Sequence, residues 1–294
     1  MARFVPASSC PPRADHRDCR AFDARHGRVL FSTRRRSVLY VWDPVTEDRW
    51  DLPTAPLHRY SWQWNAAVLC AATSSCDHLH CHGGPFLVIL IDAGGSSNDL
   101  YVSVYSSEAG AWSKLSYVVE ENQILMQPAA LVGNALYFLV CYGTSILKYD
   151  LATQGISVID RRGEVHDWSE LITTKDGGLG IATLSVATLS LWSLEATADG
   201  DSKWALIRVV NLRELFPFPT FFQLVGFAHD MGVSLVRMKG GVFSIDMKSD
   251  RVKKVWEVCD DSCVLGAMPC MSFYTPVLRA AFTCEEPGVG DSSA

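Results

Sequence analysis

Apolar residues along this chain come in short runs separated by polar or glycine-containing turns, and many runs alternate apolar with polar positions. This pattern is typical of β-strands and not of amphipathic helices. The charge-free stretch from Gly177 to Leu194 alternates apolar with small polar residues, so it predicts paired strands and not a bilayer-spanning helix. Only Val209 to Phe216 has a helical period, and this segment is short and ends before Pro217.

A unit of three strands recurs along the sequence. Each copy begins at a glycine, passes through an apolar strand and a turn into a second strand that ends in Asp, and closes with a third strand. Three copies are clearest. Their first glycine and the aspartate that ends their second strand are Gly27 and Asp43, Gly133 and Asp150, and Gly232 and Asp246.

The Asp-x-x-Thr/Ser sequence after the second strand predicts a tight hairpin corner. A carboxylate at the first position accepts backbone N–H groups two or three residues later, and the hydroxyl secures the return of the chain. With Ser106 and Ser193 as the corners of two weaker copies, the corners recur at intervals of 43 to 63 residues. A four-stranded propeller blade has about 40 to 50 residues. Polar insertions at residues 71–84 and 196–202 account for the two long intervals.

The repeat predicts an all-β, β-propeller-like fold of about five to six blades. A single sheet that is apolar on both faces is not stable alone, so neighbouring units must pack against each other. Wide aromatic side chains suit the wedge-shaped gaps between blades. We expect this inter-blade position for the tryptophans in or beside the strand runs: Trp42, Trp50, Trp112, Trp192, Trp204 and Trp256.

Composition and charge exclude several classes of protein. With 48% hydrophobic and 20% charged residues in 294, the chain is able to form a large core, so global disorder is excluded. The formal charge is −6, but residues 1–36 contain nine Arg and three Asp, which leaves −12 for the rest. Since the folded part is acidic, nucleic-acid binding is not expected. Three arginines, Arg34 to Arg36, suit a solvated hairpin loop.

The N-terminus and the cysteines predict a reducing compartment. Residues 1–12 lack the basic flank and apolar core of a secretory signal, so we expect a cytoplasmic or nuclear protein without membrane association. Ten Cys are present, several in strand-like runs. In such a compartment they are small buried hydrophobic residues and not disulfides.

Several runs together resemble the F-box-associated β-propeller of the large plant F-box protein family, especially its grass members. The similar runs extend over residues 1 to about 280 and include RHGRVLFST, LYVWDPVTEDRWDLP, CDHLHCHGGPF, PAALVGNALYFL, ILKYDLATQGISVID and MSFYTP. The resemblance implies a kelch-like propeller that holds a protein target. In such proteins an N-terminal F-box binds the Skp-type adaptor of a cullin-RING ubiquitin ligase.

The chain departs from that family pattern at its N-terminus. No F-box precedes Arg3, and the family's usual first propeller strand is not found, so we expect a propeller that is incomplete at this end. Met271 to Tyr274 could pair with the first blade and close the ring. We predict an irregular basic segment at residues 1–26, a propeller at 27–284 and a polar tail at 285–294. A Skp-type adaptor is an expected partner only if an F-box exists upstream.

The sequence gives little support for an enzymatic activity or a metal site. Nucleophile-elbow, phosphate-loop and zinc-protease motifs are absent from the sequence, so no enzymatic activity and no cofactor are predicted. The cluster from Cys76 to His82 contains residue types that bind transition metals, but its spacing lacks a second Cys pair, so an ordinary inserted loop is favoured. A metal-dependent propeller enzyme using this cluster is a remote alternative.

Two loops are candidates for partner binding. Arg, Tyr and Trp dominate interface energetics, and four such residues precede a strand: Arg59, Tyr60, Trp62 and Trp64. The alternative is that Trp62 and Trp64 pack beneath the insertion at 71–84. A loop stiffened by prolines contributes two further candidates, Phe218 and Phe221. The alternative to partner binding is that these Phe side chains cap a blade. The predicted function is recognition of a protein substrate for a ubiquitin ligase, and the main alternative is a scaffold propeller with no ligase link.

Overall fold

The computed structural model describes residues 19–33, 38–57, 63–72, 83–94, 99–113, 116–118, 123–140, 144–161, 168–196, 202–216, 221–228, 232–257 and 267–268. These residues form five antiparallel sheets in which sequence neighbours pair in order, which is a five-blade β-propeller arrangement. In the described part of the chain, no helix has the length and apolar composition needed to cross a bilayer.

Each blade is a meander whose first strand is innermost and whose last strand lies at the outer edge. Blade 1 comprises β1 (Cys19–Arg25), β2 (Arg28–Thr33), β3 (Leu39–Trp42) and β4 (Arg49–Asp51). Blade 2 comprises β5 (Trp64–Cys70), β6 (Phe86–Ala93), β7 (Leu100–Ser106) and β8 (Ala111–Trp112), with β9 (Ser116–Val118) also paired to β7. Blade 3 comprises β10 (Ala130–Val132), β11 (Ala135–Val140), β12 (Ser145–Asp150) and β13 (Ile156–Asp160).

The last two blades are joined through a single helical turn. Blade 4 comprises β14 (Trp168–Thr173), β15 (Leu179–Ser185), β16 (Thr188–Ala196) and β17 (Ser202–Asn211). The turn α1 (Leu212–Leu215) follows, capped by the Asn211 side chain, which accepts the N–H of Arg213. Blade 5 comprises β18 (Gln223–Ala228), β19 (Val233–Met238), β20 (Gly241–Asp246) and β21 (Val252–Trp256).

The predicted aspartate corners are confirmed in three blades. Asp43 Oδ1 accepts the N–H groups of Val45 (2.7 Å) and Thr46 (3.2 Å). Asp150 and Asp246 make the same two bonds to the residues two and three positions later, at 2.7 to 3.2 Å. Backbone N–H donation from Thr153 and Lys248 also lowers the pKa values of these two carboxyl groups. An aspartate side chain therefore closes the hairpin between the third and fourth strands in each of blades 1, 3 and 5.

Two predictions about element limits are wrong. Ser193 is not a corner, since it lies inside β16 and pairs with Ala205, so blade 4 has a longer outer hairpin than the other blades. The segment 1–26 is not wholly irregular, because β1 begins at Cys19 and supplies the first strand of blade 1. Blade 1 is therefore four-stranded without help from Met271 to Tyr274, which lies outside the described residues.

Apolar clusters join each blade to the next. Separate clusters contain residues of blades 1 and 2, blades 2 and 3, blades 3 and 4, and blades 4 and 5. Two further clusters lie on the remaining faces of blades 1 and 5. The predicted position between blades is confirmed for Trp50, Trp112, Trp192 and Trp204. Trp42 and Trp256 instead pack in the clusters on the remaining faces of blades 1 and 5.

Candidate functional site

The order of strands gives the propeller two unlike faces. In each blade the first hairpin turn and the turn between the third and fourth strands lie at one end, which carries the Asp corners of blades 1, 3 and 5. The connections from blade to blade lie at the other end, together with the turn between the second and third strands. We call this second end the crossover face. Loops that a rigid scaffold holds in place are typical positions for binding residues.

An aromatic pair lies on the crossover face where blades 4 and 5 meet. Trp168 begins β14 and is half-buried, and Phe221, just before β18, is 69% exposed. Their ring centroids are 6.5 Å apart in an edge-on arrangement. Trp168 packs against the blade 4–5 core, in which Phe216 and Phe222 are buried in contact with each other, so the core supports the residue that Phe221 contacts.

Val186 adds a third apolar side chain to this region. It occupies the turn between β15 and β16 with φ 55° and is 72% exposed. Positive φ is strongly disfavoured for a β-branched residue. The turn is fixed from below, because Ala187 is buried in the blade 4–5 core and its carbonyl accepts the N–H of Leu212 at 2.8 Å. Trp168, Val186 and Phe221 together are called the blade 4–5 patch.

The structure separates the predicted contact residues into distinct environments. Trp64 is 9% exposed and its ring stacks on Phe22 at 4.2 Å, so it packs between blades 1 and 2 and offers no surface for a partner. Phe221 is exposed as the contact interpretation requires. The other four candidates lie outside the described residues: Arg59, Tyr60, Trp62 and Phe218.

Sequence reasoning missed Trp168 and Val186. Trp168 is the only one of the two with a detectable signal, since it is an aromatic residue just upstream of the apolar pair Leu171 and Ile172. Val186 gave none, because a β-branched residue between two strand-like runs predicts a strand and not a turn. Its position became evident only from the pairing of Ser185 with Thr188.

Two buried carboxyl groups link inner strands of neighbouring blades. Asp23 in β1 accepts the N–H of Val68 in β5 at 2.9 Å, and Glu170 in β14 accepts the N–H of Phe227 in β18. Burial raises the pKa of Asp23, although Arg25 at 3.1 Å opposes the shift. Burial raises the pKa of Glu170 to about 8. Both groups bridge blades, and Glu170 lies two residues from Trp168.

The connection from blade 2 to blade 3 is held by polar side chains of two other inner strands. Asn65 Nδ2 donates to the carbonyls of Leu125 (2.9 Å) and Gln127 (2.6 Å). From blade 1, Arg20 donates to the carbonyl of Met126 at 3.0 Å, and Arg25 donates to that of Ala129. Buried Asn65 and half-buried Arg20 and Arg25 are all engaged by backbone groups, so they serve to position the chain.

Metal-binding residues are not gathered in the described ranges. No group of three His, Cys, Asp or Glu side chains among them is arranged to hold a metal ion. The cluster from Cys76 to His82 lies outside the described residues. Cys70 is buried and Cys19 half-buried, and both are free thiols.

Comparison with known proteins places this architecture in a family. A family model described as "F-box protein AT5G49610-like, beta-propeller" matches residues 20–278. No curated protein matches the chain.

Solved structures resemble the chain only in general form. A chain of the mitotic checkpoint complex has TM-score 0.48 and 12% identity, with 90% of this chain and 91% of that one covered. Virginiamycin B lyase from Staphylococcus aureus has TM-score 0.46 and 11% identity, with 83% and 72% covered. The WD40 domain of SCAP from fission yeast has TM-score 0.44 and 14% identity, with 84% and 54% covered. With the family model extending from β1 past β21, the chain belongs to the F-box protein AT5G49610-like β-propeller family.

Proposed function

We propose that this propeller recognises a protein substrate for an SCF-type ubiquitin ligase, and that the blade 4–5 patch is part of the contact surface. Membership of an F-box protein propeller family supports a protein-interaction role. The location rests on Phe221, a large aromatic side chain that is 69% exposed and contacts the ring of half-buried Trp168 edge-on. Exposed aromatics on a fixed scaffold are the usual anchors of protein interfaces.

Affinity purification of the full chain with quantitative mass spectrometry tests the proposed contact. We compare wild type with Phe221→Asp and with Tyr117→Asp, a matched control in which an aromatic 64% exposed on β9 is changed instead. We expect at least one protein to be lost with Phe221→Asp and kept with Tyr117→Asp. Identical partner sets for the two variants would refute a contact at this patch.

A second measurement addresses the ligase link. If the chain acts as a substrate receptor, the partner that depends on Phe221 should accumulate when the chain is depleted from cells, and its ubiquitylation should fall. Unchanged abundance and ubiquitylation would instead favour a scaffold propeller. Co-purification of a Skp-type adaptor would show that the chain joins the ligase directly.

A further inference from the structure

The outer edge of blade 4 differs from the outer edges of the other blades. β17 has ten residues and, among the described strands, pairs only with β16. The other last strands, β4, β8, β13 and β21, have between two and five residues. Proteins commonly protect sheet edges by keeping them short or by placing lysines there. β21 contains Lys253 and Lys254, but the segment from Trp204 to Ile207 has no charge.

A bulge gathers the apolar side chains of β17 on one face. Leu206 pairs with Trp192 and Val209 with Ser190, two positions on the same face of β16, because the register shifts by one residue at Ile207. Leu206, Ile207 and Val209 are 50%, 53% and 51% exposed. The edge therefore presents an apolar stripe together with the backbone N–H and C=O groups that point away from β16.

The opposite face of β17 carries the two cationic side chains of the strand, Lys203 and Arg208. Lys203 pairs with Glu195 and Arg208 with Leu191, which lie on the other face of β16. Arg208 also bonds both carboxylate oxygens of Asp250 in blade 5, at 2.7 and 2.8 Å. Residues 202–257 contain nine Lys or Arg and five Asp or Glu, a charge of +4 within a chain of −6. The remainder of the chain is therefore −10, and this sector is its basic part.

We propose that β17 accepts an extended acidic segment of a partner protein as a fifth strand of blade 4. The partner strand bonds the outward backbone groups of β17, its apolar side chains cover Leu206 and Val209, and its alternate acidic side chains face Lys203 and Arg208. Strand addition of this kind obtains affinity from the main chain and specificity from alternate side chains. A second copy is disfavoured, because Ser202–Asn211 contains no acid and would bring a second basic strand to the edge.

This inference refines the proposed function and rests on it only in requiring that the chain binds a protein. The test uses a fluorescent, end-blocked peptide of about eight residues that alternates valine with glutamate, a length that matches a typical strand. Its controls have the same composition in two blocks, or lysine in place of glutamate. We expect fluorescence anisotropy with the full chain to show binding at least about tenfold tighter for the alternating acidic peptide than for either control. Amide hydrogen exchange should slow in β17.

Variants locate the binding edge. Leu206→Glu combined with Val209→Glu should weaken peptide binding by at least about tenfold, since it places like charge against the acidic strand. Tyr117→Glu, at an exposed aromatic position on β9 of blade 2, should bind like wild type. Circular dichroism melting checks that each variant is folded.

Three outcomes overturn the inference. These are equal binding of the alternating and block peptides, unchanged binding to the double variant, and a β17-dependent dimer in light scattering that identifies a second copy as the occupant. If peptide binding fails while partner capture through Phe221 persists, the edge inference is wrong and the proposed function stands.

Discussion

Glu170 should make the stability of the propeller fall as pH rises. The buried carboxyl has a pKa of about 8, against 4.5 for the free side chain. A raised acid pKa means that the folded state favours the protonated form. Its contribution to stability is therefore fully present below pH 4.5 and is lost progressively as pH rises through 8.

The size of the effect follows from the two pKa values. Between them, stability decreases by about 1.4 kcal/mol per pH unit, so the difference between pH 6 and pH 8 is about 2 kcal/mol. Replacing the group by Glu170→Gln removes the titration and keeps an oxygen that accepts the Phe227 N–H. The amide adds buried N–H donors, so the variant should be less stable than wild type at low pH and more stable at pH 9.

Urea unfolding at several pH values between 5.5 and 9 measures this crossover. The matched control is Glu195→Gln, which neutralises an exposed carboxylate of the same blade and should follow wild type. Asp23 also has a raised pKa, but it contributes equally to both proteins, so the difference between wild type and Glu170→Gln isolates Glu170. Parallel stability curves for these two proteins would refute the assignment of a buried, protonated carboxyl at this position.

Three further substitutions test other features, each by thermal or urea unfolding. Asp43→Ala should destabilise by about 1 to 2 kcal/mol through loss of two backbone bonds, and Asp43→Asn should recover most of this; equal loss in both would contradict the corner mechanism. Val186→Gly should stabilise by about 1 kcal/mol, because glycine accepts φ 55° without strain, and a destabilised variant would contradict this account. Gly226→Val should be strongly destabilising, because even a Cβ would overlap the Ala267 carbonyl oxygen; a wild-type melting temperature would show that the two segments do not meet.

The repeat was predictable because one residue type performs the same local task in several blades. An aspartate that ends a strand and is followed three positions later by Thr or Ser has few other uses, so Asp43, Asp150 and Asp246 located three hairpins. Serine carries a weaker signal. Ser106 does accept the N–H of Ala109 at 3.3 Å, but Ser193 is an ordinary strand residue.

The first strand and the candidate site depend on tertiary contacts that a local pattern does not contain. In β1, charged residues occupy three of seven positions, and they are accommodated only because Asp23 and Arg25 bond each other and partners in other blades. The same limit applied to the aromatics. Trp64 begins a strand and Phe221 lies just before one, yet stacking on Phe22 buries the first while the second remains exposed.

The clusters between blades have a consequence for synthesis on the ribosome. Each blade is a continuous stretch of chain that packs on the one before it. Among the described residues, the apolar cluster between blades 1 and 2 contains none later than Trp112. The emerging polypeptide can therefore consolidate its first two sheets before the remaining three are translated, and each later sheet finds a preformed surface on which to fold.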